Sequence, residues 1–151
     1  MAKFEIISDK VVFNLNADVG RMAPNKLDDV ELVRFGYFCM KNNPKSLLSM
    51  PPRHKAALQA MQPRGPYFAD LQEVIDAHQE ARGGTRDGKV SVGKGQIFHT
   101  GIYDGVHMWI IYVLSNNMRI FIPDIFPRID LHNQSGLEIS KRVLELFNLG
   151  V

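Results

Sequence analysis

Cysteine is almost missing from this chain. A single residue, Cys39, excludes an internal disulfide and a cysteine-rich zinc site, and it suits a reducing compartment. Long apolar runs are missing too. No stretch approaches the roughly 18 residues that a membrane-spanning helix needs, and MAKFEIISDKVVF lacks the basic-then-apolar order of a signal peptide. The expectation is synthesis in the cytoplasm without a signal peptide. Charge of one sign is scarce as well: the formal net charge is +2, and the basic residues are scattered rather than clustered, which argues against a nucleic-acid partner. There is no internal repeat and no low-complexity tract.

What is present is an ordinary globular composition, 45% apolar and 23% charged over 151 residues, enough for one compact chain with a real core. FEIIS and VVFNLNA read as a hairpin turning at Asp9-Lys10. After the loop GRMAPNKLDD, Asp28 or Asp29 is placed to cap a helix over 29–42, whose buried face carries Val30, Val33, Tyr37 and Met40. Asn42-Asn43-Pro44 ends it. Between Pro44 and Pro66 breakers surround a short helix that starts at Pro51-Pro52 and has Ala56, Leu58 and Met61 on its apolar side. A further helix over 68–82 buries Leu71, Val74, Ile75 and His78, presents Glu73, Asp76, Glu80 and Arg82 to solvent, and stops at Gly83-Gly84.

The second half changes character. IFHTGIY, Asp104-Gly105 and VHMWIIYVL read as a hairpin, and Ser115-Asn116-Asn117 then turns into MRIFIP, giving a three-stranded antiparallel meander. Trp109 is expected on a buried strand face. Ser135 and Glu138 form a capping box for a terminal helix bearing Leu137, Val143, Leu144 and Phe147. The class is α+β: an N-terminal hairpin and a helical part over 1–95, then a meander and a C-terminal helix over 96–151. Both faces of the hairpin 97–114 are apolar, so it must be covered twice. This points to protein partners or self-assembly through that hairpin.

Two segments carry a family likeness. Val19-Gly20, Asn25, Asp29-Val30 and Val33-Arg34 in the first, with Ile75, His78-Gln79 and Asp87-Gly88-Lys89-Val90 in the second, resemble the peptidoglycan-binding-like three-helix domain. The variant is the one in phage-derived and secretion-associated proteins, and the likeness covers about 18–95. The chain departs from the pattern at Arg34, where Gln is usual, at His78, where an aromatic packs, and in the Pro-rich stretch 44–66; a Thr expected after the last Gly is missing. The resemblance implies a three-helix fold and peptidoglycan as a partner. Within it, His78 is expected to be a neutral core residue, and Asp87-Gly88 a turn with Gly88 at positive φ.

Few residues invite chemistry. Cys39, His107 and Asp124 occur in the order of nucleophile, base and orienting group of a cysteine-dependent wall amidase or peptidase. Against this, Cys39 falls near a helix end whose dipole disfavours a thiolate, so it reads more simply as a small apolar residue. His99 and His107 have opposite parity across the Asp104-Gly105 turn and point to opposite faces, while His54, His78 and His132 lack ligand spacing; no metal or cofactor is expected. GGTRDGKVSVGKG lacks the ending of a phosphate loop. The sequence therefore reads as a non-enzymatic structural or binding protein, a virion or tail component of a phage or phage-like particle, with no catalytic residue assigned and its binding residues undefined. The alternative is the hydrolase on Cys39, His107 and Asp124.

Overall fold

Alternation at the N-terminus builds a hairpin: β1 (Lys3–Ile7) pairs antiparallel with β2 (Lys10–Asn14), Ile7 opposite Lys10 and Lys3 opposite Asn14. The computed structural model describes residues 3–7, 10–94 and 108–121, and over them the chain is a mixture of helix and sheet. Val12 and Phe13 point to opposite faces of β2, and both are buried, so this strand is covered on both sides. A second, very short antiparallel pair joins β3 (Val19–Gly20) to β4 (Lys89–Val90).

Helix α1 (Leu27–Lys41) is the centre of the core. Val30, Val33, Tyr37 and Met40 are buried as their spacing predicts, but so are Leu32, Arg34, Phe35, Gly36 and Cys39. A helix buried nearly all round must have neighbours on several sides. It packs against α2 (Pro44–Leu48), α3 (Pro52–Ala60) and α5 (Ile110–Phe121), while α3 lies against α4 (Ala69–Arg82) and α5 covers β2. Asn43 caps α2 by accepting from the Lys45 N–H at 3.1 Å, and prolines occupy the first position of both α2 and α3. The buried side of α3 carries His54, Ala57 and Leu58, followed by Met61; Ala56 is exposed, one position away from where its spacing suggested.

Neither Asp28 nor Asp29 caps α1. The helix begins two residues earlier, with Lys26 at the cap position and no side-chain capping bond. Asp29, fully buried inside the first turn, instead accepts from the backbone N–H groups of Asn16 and Ala17, both at 3.1 Å. Its carboxylate satisfies the loop after β2 while lying near the positive end of the helix.

The largest correction concerns 108–121. Ile110–Leu114, read as strand, and Ser115-Asn116-Asn117, read as turn, all belong to α5, so the three-stranded meander does not exist over these residues. Ile111, Leu114, Ser115 and Met118 follow helical spacing and are at most 1% exposed. The supposedly two-faced apolar sheet is, from 110 onward, a helix buried around most of its circumference. Gly36 makes the crossing with α1 tight: a Cβ there would lie 2.6 Å from Leu114 Cβ and 3.0 Å from Met118 Cε. The polar residues that suggested a turn are fasteners. Asn117 accepts from Asn43 Nδ2 at 3.1 Å and from the Ser46 hydroxyl at 3.2 Å, tying α5 to α2. Ser115 accepts from the Phe13 N–H at 2.9 Å, and its hydrogen has the carbonyls of Ile111 (2.9 Å) and Phe13 (3.1 Å) within reach. Assembly through an apolar hairpin 97–114 therefore loses Ile110–Leu114, which are spent on the protein's own core. Residues 97–107, including His99 and the Asp104-Gly105 turn, and the helix announced by Ser135 and Glu138 lie outside the described residues. Among the described residues no helix is long and apolar enough to cross a membrane.

Candidate functional site

The residues singled out by sequence meet in one place. At the end of α4, Gln79 is almost completely buried; its Oε1 accepts the Gly88 N–H at 2.9 Å, and its Nε2 donates to Asp87 Oδ1 at 3.0 Å and to the Lys89 carbonyl at 2.9 Å. Asp87 Oδ1 also accepts the Lys89 N–H at 3.0 Å, closing the turn on itself. Two helical turns earlier, Gln72 donates to the Gly88 carbonyl at 3.0 Å. Gly88 has φ of +73°, as the turn requires.

This turn is stitched to β3. Arg21 N–H donates to the Gly88 carbonyl at 2.9 Å, and Val19-Gly20 pairs with Lys89-Val90. A Cβ on Gly20 would fall 2.2 Å from the Gly88 carbonyl oxygen, so only glycine admits this approach. Asn25 closes the loop behind it, accepting from Gly20 N–H at 2.8 Å and donating to the Gly20 carbonyl at 2.9 Å. Further along, Asp18 accepts the Val92 N–H at 3.0 Å, and the Asn14 amide pairs with both the N–H (2.8 Å) and the carbonyl (2.9 Å) of Gly93 as a strand would. The side chains of Asn14, Asp18, Asn25, Gln72, Gln79 and Asp87 in this knot are all engaged by backbone or by another side chain. It is a structural device, with little left over for a ligand.

Beside the knot is an open cleft of about 170 Å³. Its walls are the end of α4 with Gln79, Arg82 and Gly83, the turn with Thr85, Asp87, Lys89 and Ser91, and the start of α5 with Met108, Trp109 and Ile110. Trp109 is half-buried and precedes α5, where its carbonyl accepts from Tyr112 N–H (2.9 Å) and Val113 N–H (3.1 Å). It does not sit on a strand face. Arg82 crosses the cleft to the Met108 carbonyl, and burial lowers its pKa from the usual arginine value, which the neighbouring Tyr37 partly offsets.

The buried ionisable groups are elsewhere. Cys39 is fully buried and burial pushes its thiol pKa far up, so it stays protonated; this gives a nucleophilic role no support. The other two members of that reading, His107 and Asp124, lie outside the described residues, as does His132. His78 is a buried core residue as expected, but it has a partner: the Tyr37 hydroxyl lies 2.9 Å from its Nδ1. Its ring stacks on His54 at 5.0 Å and 20°. Burial, then the charges of His54 and Arg82, hold His78 well below its ordinary pKa, and burial brings His54 down to about 4. The Nε2 of His54 is buried with no hydrogen-bond partner among the described residues. No group of three or more potential metal ligands occurs among the described residues.

One side chain matters more than sequence reasoning indicated. Arg34, fully buried, spends its guanidinium on the carbonyls of Gln62 (2.8 Å), Gly65 (3.1 Å) and Pro66 (2.7 Å) and grips Asp70 with both terminal nitrogens at 2.9 and 3.0 Å. It holds the Pro-rich link against α4. The only signal for it was the anomaly of an arginine on the buried side of α1. Glu73 and Glu80 pair with Arg53 across to α3, and Asp76 pairs with Arg21 at 2.8 Å, so this acidic face is solvated and used in surface ion pairs. No family model, curated protein or solved structure matches this chain.

Proposed function

We propose that the chain is a non-enzymatic binding protein built on a peptidoglycan-binding-like module whose three helices are α1, α3 and α4, and that it serves as a virion or tail component of a phage or phage-like particle. The observation that carries this reading is spatial. Val19-Gly20, Asn25, Gln79 and Asp87-Gly88-Lys89-Val90, spread over seventy residues of chain, form one hydrogen-bonded knot. Short motifs that match by accident have no reason to touch. The departures also find physical employment. Arg34 clamps the Pro-rich 62–66 link, and His78 fills the aromatic position with a ring that packs edge-on to Tyr37.

The test is retention on purified cell-wall sacculi, with molar mass from light scattering at micromolar concentration. Retention on the wall supports the module; a mass above one chain supports the assembly role. A strict monomer that passes through the wall preparation unretained would overturn both. For the hydrolase alternative, the measurement is wall lysis by the wild type and by Cys39→Ser. No lysis by the wild type leaves that alternative without substance.

A further inference from the structure

The knot leaves its neighbour, the cleft, with unspent charge. Arg82 uses one nitrogen on the Met108 carbonyl, which fixes the guanidinium across the cleft and leaves most of its donors open. Lys89 contributes a second cation to the same wall. Among the described residues neither has a carboxylate within ion-pair distance. The acidic group that lines the cleft, Asp87, is held by Gln79 Nε2 and the Lys89 N–H. Among the described residues lining the cleft, two cations face one engaged carboxylate, an excess of one positive charge. A partly buried guanidinium without a counter-ion is costly, and a carboxylate is the planar partner that its fork geometry fits.

Met108, Trp109 and Ile110 give the cleft one apolar side, beside the uncharged polar groups of Gln79, Thr85 and Ser91. At about 170 Å³ the space is smaller than the 300–1,000 Å³ of sites for drug-sized molecules, so it suits one residue or one ring substituent rather than an extended chain.

We propose that this cleft binds a small ligand with one carboxylate beside an apolar or planar face, the carboxylate on Arg82 with Lys89 alongside, and the face against Trp109 and Met108. Such a group occurs at the free end of a peptide and on an acidic sugar. The site does not depend on the wall-binding reading, since it rests on the cleft alone.

Trp109 is the one tryptophan in the sequence, so its emission reports on this cleft and nowhere else. The experiment titrates it with two matched pairs: N-acetylphenylalanine and its amide, and N-acetylmuramic acid and its carboxamide. Within each pair the carboxylate is the feature that matters. A saturable change with a carboxylate probe, about ten-fold tighter than with its neutral twin, is expected. The pair that shows it identifies the source, peptide end or sugar. Arg82→Gln should abolish the preference and Arg82→Lys should keep part of it. Because Arg82→Gln also loses the Met108 tether, the wild type is titrated in parallel at low salt and at 0.5 M salt. Salt should weaken the carboxylate probe and leave the neutral twin unchanged. Equal affinity within both pairs, or no saturable change with either carboxylate probe, overturns the proposal. Retention on sacculi is scored separately, so the wall-binding reading and this site can fail independently.

Discussion

Gln79 and Gly88 complete one another. The glutamine side chain supplies the acceptor for the glycine N–H at 2.9 Å, and the same amide donates to the residues on either side of that glycine. A helix and a turn nine residues later are thus joined by one side chain whose two N–H donors are both used.

Replacing Gln79 by Leu keeps the volume and removes the three bonds, leaving the Gly88 N–H and the Lys89 carbonyl without that partner. The expected loss is about 2–4 kcal/mol in urea denaturation. An unchanged midpoint would mean that the turn does not depend on α4.

Two glycines in this knot should differ in a predictable order. At Gly88 a Cβ meets the guanidinium of Arg21 at 2.2 Å, the far end of a flexible and exposed side chain that can move, so the cost of Gly88→Ala is mainly its φ of +73°, about 1–2 kcal/mol. At Gly20 a Cβ meets backbone, the Gly88 carbonyl oxygen at 2.2 Å, and backbone does not yield cheaply. Gly20→Ala should therefore be the more destabilising of the two in thermal melts. The reverse order would contradict the β3–β4 pairing.

Arg34→Met should cost about 3–5 kcal/mol, because it leaves Asp70 and the carbonyls of Gln62, Gly65 and Pro66 without their buried cation. Arg34→Lys should rescue only part of this, since an ammonium cannot reproduce the two-nitrogen grip on Asp70. A free Pro-rich link would appear as new protease cleavage between α3 and α4.

Acid should unfold the protein from two sources with the same sign. His54 is depressed to about 4 from an ordinary 6.5, so between those values the unfolded chain binds more protons than the folded one. Stability is fully present above pH 6.5 and falls as pH drops towards 4, by up to about 3 kcal/mol from this group alone. His78 adds to the slope in the same direction. Asp70 follows at lower pH: burial works to raise its carboxyl, but hydrogen bonds from Arg34 and the Gln62 N–H outweigh it and leave it below the usual value. Its contribution is lost as pH falls through that lowered value. His54→Phe removes a buried nitrogen without a partner and should flatten the slope between pH 6.5 and 4 at no cost at pH 7. His78→Phe is different. It deprives the buried Tyr37 hydroxyl of its partner and should cost about 1–3 kcal/mol at neutral pH.

The helix assignment for 110–121 is tested at Gly36. Gly36→Val would drive two methyl groups into Leu114 and Met118 and should cost more than about 1–3 kcal/mol, the usual range for overpacking. The paired change Leu114→Ala should recover part of the loss. No recovery would separate the two helices.

What could be read in advance divides by mechanism. The hairpin, α1, α3 and α4 were legible because alternation, helical spacing and proline or glycine at their ends all agree; the Asp87-Gly88 turn was legible because φ at glycine leaves a mark in sequence. Helix α5 was not. WIIYVL is β-branched, aromatic and continuous, and a buried helix and a buried strand share that appearance. Asp29 was misread because a carboxylate near a helix start has more than one set of N–H groups within reach. The knot was half visible: its members were picked out, but that Gln79 rather than any ligand occupies Asp87 follows only from the fold. The cleft was hidden because Arg82, Lys89 and Trp109 come from three elements and share no spacing.

The bonds from Ser115 to Phe13 have a consequence for how the chain is made. They join residues 102 positions apart, whereas Gln79 and its turn are within ten. At about 5–20 residues per second a ribosome delivers the second partner roughly 5–20 seconds after the first. During that interval β2 has an edge with nothing on it, and an isolated two-stranded hairpin is marginal in water. Of the described elements, the strands of this hairpin are therefore the first to be synthesised and among the last to be secured. The interval before α5 emerges is the time at which this protein is most exposed to pairing with another copy of itself.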